Sequence, residues 1–162
     1  MHSSSGFESE IKTSNPIGEV ICNKTTLHYA LHSSHYFQTG DVMTLFSPTS
    51  IQDHPDRFTV QKNEKEHIVL NPEYLKYLNH SCTPNCFIDV DNYQLIALEV
   101  IEKGAELTFF YPSTEWEMAE PFDCHCNTMH CLNKIQGAAH IALSDLKRYR
   151  VSSFIQEKIK TM

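Results

Sequence analysis

Short runs of β-branched and aromatic residues, separated by turn-forming residues, fill the first two-thirds of the chain. Such runs favour β-strands, because branched and aromatic side chains pack well on a pleated surface. The pattern predicts four strands here, over residues 17–21, 28–37, 41–46 and 57–60. Further on, residues 87–90 and 93–100 flank a turn at Asp91-Asn92 and predict a hairpin. Residues 106–111 predict one more strand after the turn around Gly104.

Helix signals are few and short. Residues 71–73, Asn-Pro-Glu, offer a capping side chain, a proline at the first helical position and an acid in the first turn, which predicts a helix over residues 71–78. Residues 113–123 are polar and acidic and predict a loop. Two more helices are predicted over residues 144–149 and 152–160, the second capped by one of two serines. The pattern therefore predicts a mostly β domain with a cysteine-rich, helical C-terminal appendage.

Length, composition and charge narrow the class of protein. The chain has 162 residues, 41% hydrophobic and 20% charged, which is typical of a single globular domain. A formal net charge of −7 disfavours direct contact with nucleic acid and suits a basic partner such as a lysine-rich tail. No apolar run approaches the roughly 20 residues of a membrane span, and residues 1–6 lack the apolar core of a secretory signal.

From these features we expect an intracellular, cytoplasmic protein, nuclear if the organism is a eukaryote, with no membrane association. Residues 1–16 are expected to form a disordered or tag-like N-terminus. The sequence indicates no oligomeric state.

The chain has six cysteines, and without an export signal they are not expected to form disulfides. Three of them form the pattern Cys124-x-Cys126-x4-Cys131, which indicates a metal site. Structural zinc takes four ligands in a tetrahedral arrangement, so one ligand must come from elsewhere. Four residues are candidates for that ligand: Cys82, Cys86, His125 and His130.

Residues 79–85, Asn-His-Ser-Cys-Thr-Pro-Asn, directly follow the predicted short helix. Taken alone, they are typical of a helix end and a turn. Together with Glu-Leu-Thr-Phe-Phe-Tyr at residues 106–111 and the cysteine pattern with Gly137 after it, this sequence resembles the SET-domain lysine methyltransferases. The resemblance spans residues 17–137, with a SET domain at 17–116 and a post-SET zinc knuckle at 117–137. Residues 138–162 would then be a helical C-terminal extension.

The resemblance implies a SET-type fold of several small β-sheets in which the chain after the Asn-His motif passes under another segment as a pseudoknot. The methyl donor, S-adenosylmethionine, would bind on one face, and the target lysine would enter from the other through a narrow channel. Residues at the positions of the family's donor site are His28, Tyr29, Ala30, Asn79, His80 and Leu132.

The resemblance also assigns the metal and the reacting end of the site. It makes Cys82, rather than Cys86, the fourth ligand of a single structural Zn²⁺ ion, with Cys124, Cys126 and Cys131 as the others. It places Tyr111 at the site of methyl transfer as the catalytic residue. It places Phe109 in the lysine channel, where a phenylalanine permits more than one methylation.

The sequence departs from the family at the Gly-x-Gly turn that lies against the methyl donor, which is His28-Tyr29-Ala30 here. A Cβ atom opposes both a positive φ and close approach of a ligand. Three alternatives follow. Residues 28–30 have a permitted backbone conformation and still touch the methyl donor, or the family's turn aligns with other residues of this chain, or binding of the methyl donor is impaired. In addition, Lys76 replaces the family's arginine, and Phe110 stands where Asp or Asn is common.

The chemistry of methyl transfer fits these residue types. A lysine ammonium has no lone pair, and neutralising it at pH 7 costs about 4 to 5 kcal/mol. A dry channel beside a sulfonium lowers that pKa through burial and like charge. The leading interpretation is a protein-lysine N-methyltransferase acting on a lysine-containing protein or peptide, such as a histone. The alternative is a catalytically impaired SET-like module that binds a protein partner or peptide.

Overall fold

The computed structural model describes residues 8–162, and in this part of the chain it consists mainly of short strands in small sheets. The predicted mostly β fold is confirmed. The strands in chain order are β1 (Ser9–Ser14), β2 (Gly18–Asn23), β3 (Tyr29–Ser33), β4 (Val42–Leu45), β5 (Ser47–Gln52), β6 (Thr59–Gln61), β7 (His67–Asn71), β8 (Asn79–His80), β9 (Cys86–Asp89), β10 (Gln94–Ala97), β11 (Thr108–Phe109), β12 (Phe122–Asp123) and β13 (Lys134–Ile135).

The helices are short. Two α-helices, α1 (Leu143–Leu146) and α2 (Ser153–Ile159), lie near the C-terminus, and 3-10 helices cover Glu73–Tyr77, Tyr111–Ser113 and Ala138–His140. Within residues 8–162, none of the helices is long and apolar enough to cross a membrane.

The N-terminal segment differs from its prediction. Residues 9–14, expected to be disordered or tag-like, form β1, which pairs antiparallel with β2, and β2 pairs with β3. All six residues of β1 are exposed, so the strand has no buried face and is joined to the sheet through its backbone. An exposed edge strand lacks the hydrophobic pattern from which strands are predicted. Residues 1–7, also part of that prediction, lie outside the described residues.

The central sheet has the strand order β4-β10-β9-β11-β8. β11 lies between β8 and β9 and is parallel to both, so residues 81–85, which join β8 to β9, must cross over β11. Asn85 fixes this crossing, because its side-chain amide donates to the Glu106 carbonyl at 2.8 Å and its Oδ1 accepts from the Thr108 N–H at 2.9 Å. This threading agrees with the predicted pseudoknot.

A third sheet, β5-β7-β6, packs beside the central sheet, and its β5 and β7 were not predicted. The predicted helix over residues 71–78 is a 3-10 helix with Pro72, not Asn71, at its N-cap. The predicted strand over residues 106–111 is also shorter. It ends at Phe109, and the chain turns into a 3-10 helix at Tyr111, where Pro112 has no N–H to continue a ladder.

The molecule has a main core between its sheets and a second one under the C-terminal segment. In the second core, Phe110 packs with Ile141, Leu146 and Ile155. The predicted helix over residues 144–149 is α1, which ends earlier, at Leu146. Ser152 caps α2 by accepting from the Ile155 N–H. The extension thus packs on the residue directly before Tyr111.

Candidate functional site

A cavity of about 680 Å³ lies between the third sheet, the ends of β8 and β11 and the segment around β12. This volume is within the usual range of ligand sites, about 300 to 1,000 Å³. Of the eight residues expected to contact the methyl donor or the lysine, five are in its wall: His28, Asn79, His80, Phe109 and Tyr111. Tyr29, Ala30 and Leu132 are not.

Asn79 joins three segments of the chain at one end of the cavity. Its side-chain amide donates to the Tyr29 carbonyl at 2.8 Å and to Glu106 Oε1 at 3.0 Å, and it lies 3.1 Å from His28 Nε2. The segment that replaces the Gly-x-Gly turn is therefore next to the Asn-His motif.

Tyr29 does not adopt the positive φ that a glycine would permit; Leu27, two residues earlier, has a φ of 56°. The backbone at residues 28–30 therefore takes a permitted conformation as β3 begins. The Tyr29 ring stacks on the Tyr77 ring with centroids 5.5 Å apart, while the Ala30 side chain is buried. The structure thus gives this segment a permitted backbone beside Asn79, and its contact with the methyl donor stays a prediction.

His80 connects the cavity with the cysteines. Its Nδ1 accepts from the Tyr111 N–H at 3.2 Å, so the neutral ring carries its proton on Nε2, which lies 3.3 Å from Cys82 Sγ. Burial lowers the pKa of His80 to about 4. The imidazole is therefore neutral near pH 7 and serves as an aromatic wall.

Tyr111 lies at the end of β11 with its ring in the cavity wall. Its hydroxyl donates to the Leu78 carbonyl at 3.0 Å, and its ring centroid is 4.7 Å from that of Phe109. Burial raises the pKa of Tyr111 to about 12. The phenol stays neutral near pH 7. Because its hydroxyl proton is donated to the Leu78 carbonyl, the lone pairs of the oxygen can accept a hydrogen bond from a group inside the cavity.

Four cysteine sulfurs form a cluster at one side of the cavity. The Sγ atoms of Cys82, Cys124, Cys126 and Cys131 lie within 4.8 Å of one another, and the Cys82–Cys124 pair is 3.9 Å apart. Four sulfurs in a tetrahedron about 2.3 Å from a zinc ion would be about 3.8 Å apart. The donor set and its spacing fit a Zn²⁺ ion.

Local structure explains how the sulfurs converge. Asn127 and Asn133 have left-handed φ values of 56° and 65°, which asparagine tolerates, and they turn the chain after Cys126 and after Cys131. Burial raises the pKa of the Cys82 thiol, and that of Cys124 to about 11, because a buried thiolate lacks a compensating charge. A divalent cation supplies that charge.

The other candidates for the fourth ligand lie outside the cluster. Cys86 is buried in the main core, 3.7 Å from Met43 Sδ. His130 Nδ1 faces the Arg148 guanidinium at 2.6 Å, and His125 lies on the cavity wall. Leu132, expected at the donor site, packs beside the cluster, where its N–H donates to Cys82 Sγ at 3.4 Å.

Glu115 is a cavity residue that the sequence did not single out, since it falls in the segment predicted as a polar loop. It is only 8% exposed, and its carboxylate accepts from the Gln61 N–H at 3.0 Å and from the Thr114 hydroxyl. Burial raises the pKa of Glu115 to about 7. No motif marks it; only its position beside Tyr111 does.

The charged side chains of the cavity wall are mostly acidic. Its basic side chains are Arg57 and Lys76. Its acidic side chains are Asp56, Glu106, Glu115, Glu120 and Asp123. Such a cavity favours a positively charged ligand.

Comparison with known proteins gives one family. The family described as "SET domain" matches residues 9–112. A methyltransferase of Aspergillus flavus, flvH, is 39% identical over 85 residues, which is 51% of this chain and 48% of that protein. The H3 lysine-4-specific histone-lysine N-methyltransferase of Emericella nidulans is 40% identical over 63 residues, or 35% of this chain and 5% of that protein. This chain therefore spans about half of flvH and a small part of the longer relative.

Among solved structures, the crystal structure of KRYPTONITE in complex with mCHG DNA and SAH has a similar fold. The TM-score is 0.52 at 17% sequence identity, and the match covers 80% of this chain and 29% of that one. At this identity the likeness concerns the fold.

Proposed function

This chain belongs to the SET-domain family, and from that premise we propose that it is a protein-lysine N-methyltransferase that uses S-adenosylmethionine. The observation that carries the proposal is the cavity in which Asn79 and His80 meet Phe109 and Tyr111 beside a cluster of four cysteines. Its acidic wall suits both a sulfonium and a lysine.

The donor would be held where β3, β8 and β11 meet, by Asn79, His80 and the backbone of residues 28–30. When bound, S-adenosylmethionine supplies a methyl group on a positively charged sulfur. The neutral ring of His80 offers an aromatic surface without adding a positive charge near that sulfur. Leu132, which lies beside the cysteine cluster, would also contact the donor, as the resemblance implies.

Tyr111 and Phe109 would position the side-chain amine of the substrate lysine. The lysine must give its ammonium proton to water before its lone pair can attack, and burial beside the positively charged sulfur of the methyl donor favours that loss. The neutral Tyr111 hydroxyl, anchored on Leu78, accepts a hydrogen bond from the amine and so holds its lone pair in line with the methyl carbon. Phe109 has no hydroxyl to hold a water or a methylamine in one orientation, which is consistent with more than one methyl transfer.

Cys82, Cys124, Cys126 and Cys131 would hold a structural Zn²⁺ ion. The ion would take no part in the reaction. Its free energy of binding would instead fold residues 117–137, which have two strands of two residues each and little core, against the cavity.

The substrate would be a flexible basic segment of a protein. The names of several relatives specify histone lysines, so a histone tail is the first candidate, and a nuclear location would follow from it. The acidic cavity wall and the net charge of −7 support a lysine-rich partner.

The test is transfer of labelled methyl from S-adenosylmethionine to core histones, to a mixture of basic proteins and to free lysine in parallel. Mass spectrometry should find mono-, di- or trimethyl-lysine on a protein. If only free lysine is labelled, the proposal of a protein substrate would be wrong. If zinc-loaded protein labels none of the acceptors, the proposed methyltransferase activity would be wrong.

The second candidate is a SET-like module that binds a protein partner or peptide without catalysis. It is favoured by the replacement of the Gly-x-Gly turn and of the family's arginine by Lys76. Calorimetry with S-adenosylhomocysteine distinguishes the two, because a module that lost its donor site would bind peptide but not the nucleoside.

A further inference from the structure

Glu115 combines burial, a cavity position and an uncompensated charge. Its two hydrogen bonds, from the Gln61 N–H and the Thr114 hydroxyl, both go to Oε2, and within residues 8–162 no donor contacts Oε1. Glu115 belongs to the cavity wall, and its Oε1 is not among the fully buried side-chain atoms that lack a hydrogen-bond partner, so this oxygen is accessible to a hydrogen-bond donor that enters the cavity.

The position of Glu115 is fixed relative to Tyr111. Its own N–H donates to the Tyr111 carbonyl at 3.1 Å, so it lies one turn after the residue expected at the reacting end. Its Oε2 is held by the Gln61 N–H, and the Gln61 side-chain oxygen accepts in turn from the Trp116 N–H at 3.1 Å. The carboxylate is thus pre-oriented between β6 and the turn that carries Tyr111.

A buried carboxylate without a cation is unfavourable, because its charge has lost the solvation of water. No lysine, arginine or histidine among residues 8–162 forms an ion pair with Glu115. Burial accordingly raises its pKa to about 7. A cation that reaches Oε1 would compensate this charge, and this makes Glu115 a candidate binding residue.

We propose that Glu115 binds the ε-ammonium group of the incoming lysine and so selects a cationic side chain for the channel beside Tyr111. The proposal rests on the proposed function for the identity of the ligand. Here Glu115 recognises the charged form of the lysine on entry. The ammonium group then gives one proton to water, and Tyr111 contacts the neutral amine that results.

The experiment measures binding, so it does not depend on turnover. Nα-acetyl-lysine methylamide and its uncharged isostere Nα-acetyl-norleucine methylamide are titrated by NMR into the zinc-loaded protein saturated with S-adenosylhomocysteine, at pH 8, where the Glu115 carboxyl is ionised. The wild type should bind the lysine compound about tenfold or more tightly than the norleucine compound, as expected for one hydrogen bond between charged groups. Glu115→Gln should remove this preference while it retains an acceptor for the Gln61 N–H.

The matched control is Glu117→Gln, which makes the same change of charge two residues away on an exposed side chain paired with His140. It should keep the preference for lysine. Equal binding of the two compounds by the wild type would overturn the proposal even if Glu115→Gln fails to fold, and so would a preference that survives in a folded Glu115→Gln.

A second measurement shows which of the two cationic ligands, the lysine or S-adenosylmethionine, Glu115 binds. If Glu115→Gln weakened binding of S-adenosylmethionine but not of S-adenosylhomocysteine, while the lysine preference remained, the charge would serve the sulfonium and the proposal would be wrong. Absence of methyl transfer by a wild type that still prefers lysine would count against the proposed enzyme and leave this inference standing.

Discussion

At the scale of single residues, the polar groups of the cavity are held by backbone partners that are distant in sequence. Asn79 is anchored on Tyr29, fifty residues away, and Tyr111 on Leu78, thirty-three residues away. Each of these bonds fixes a side chain relative to a segment that only the tertiary structure brings near it.

Replacing Tyr111 by phenylalanine removes the hydroxyl and keeps the ring. We expect the rate of methyl transfer to fall about tenfold or more, since a lost hydrogen bond of roughly 1.5 kcal/mol corresponds to that factor. The free energy of unfolding should fall by only about 1 kcal/mol from loss of the bond to Leu78. Steady-state rates and urea unfolding measure both effects. Tyr36→Phe, on an exposed ring, is the control, and full activity of Tyr111→Phe would remove Tyr111 from its proposed role.

The Glu115 carboxyl makes stability depend on pH. Its pKa is about 7 in the folded protein and has an ordinary value of 4.5, so between these pH values the folded protein binds a proton that the unfolded chain has released. The free energy of unfolding should therefore decrease as pH rises through this interval, by about 3 kcal/mol in total from this group. The difference in urea stability between wild type and Glu115→Gln isolates the effect from other carboxyls. A difference that does not change from pH 4.5 to 7.5 would show that Glu115 is not buried as described.

At the scale of elements, the segment from β12 to β13 is the one least able to fold by itself. Its strands have two residues each, and its small apolar cluster includes the cysteines Cys82 and Cys124. Gly137 closes the segment with a φ of 114°, where a Cβ would lie 2.3 Å from the Trp116 carbonyl oxygen. A metal ion bound by the four sulfurs would therefore be the main source of order in this segment.

Two alanine variants test the ligand set. Cys82→Ala should lower bound zinc from one ion per chain, because three thiolates hold the ion less tightly than four, and should expose residues 117–137 to protease. Cys86→Ala should retain the ion, since Cys86 lies in the main core beside Met43. Plasma mass spectrometry of the dialysed proteins measures the zinc. Equal zinc content in Cys82→Ala and the wild type would exclude Cys82 as a ligand.

At the scale of the whole molecule, the C-terminal extension is joined to the cavity through aromatic packing. The Tyr149 ring stacks on the Phe110 ring at a centroid distance of 3.6 Å, and its hydroxyl donates to the Cys82 carbonyl at 2.7 Å. Phe110 directly precedes Tyr111, so the extension supports both β11 and the cysteine cluster. The phenylalanine that departs from the family's Asp or Asn at this position thus has a packing role.

Ile155 on α2 is fully buried in this second core. We expect Ile155→Ala to lower the free energy of unfolding by about 2 to 4 kcal/mol, because it leaves a cavity under Phe110. Ile11→Ala, on the exposed β1, should change it by less than about 0.5 kcal/mol. Urea unfolding of the two variants measures the comparison, and equal stabilities would mean that α2 does not pack on the domain.

The amino-acid sequence determined the mostly β fold, the three clustered cysteines and the Asn-His motif, because strand propensity, ligand spacing and turn chemistry are properties of neighbouring residues. The tertiary structure decided what depends on distant contacts. The spacing of the cysteines alone left the fourth ligand open, and the resemblance implied Cys82 rather than Cys86. In the structure the Cys82 and Cys124 sulfurs lie 3.9 Å apart across forty-two positions, whereas Cys86 is buried in the main core. Likewise, Glu115 lies in a segment with the composition of a loop, and only the packing of β6 against the turn after Tyr111 buries it in the cavity wall.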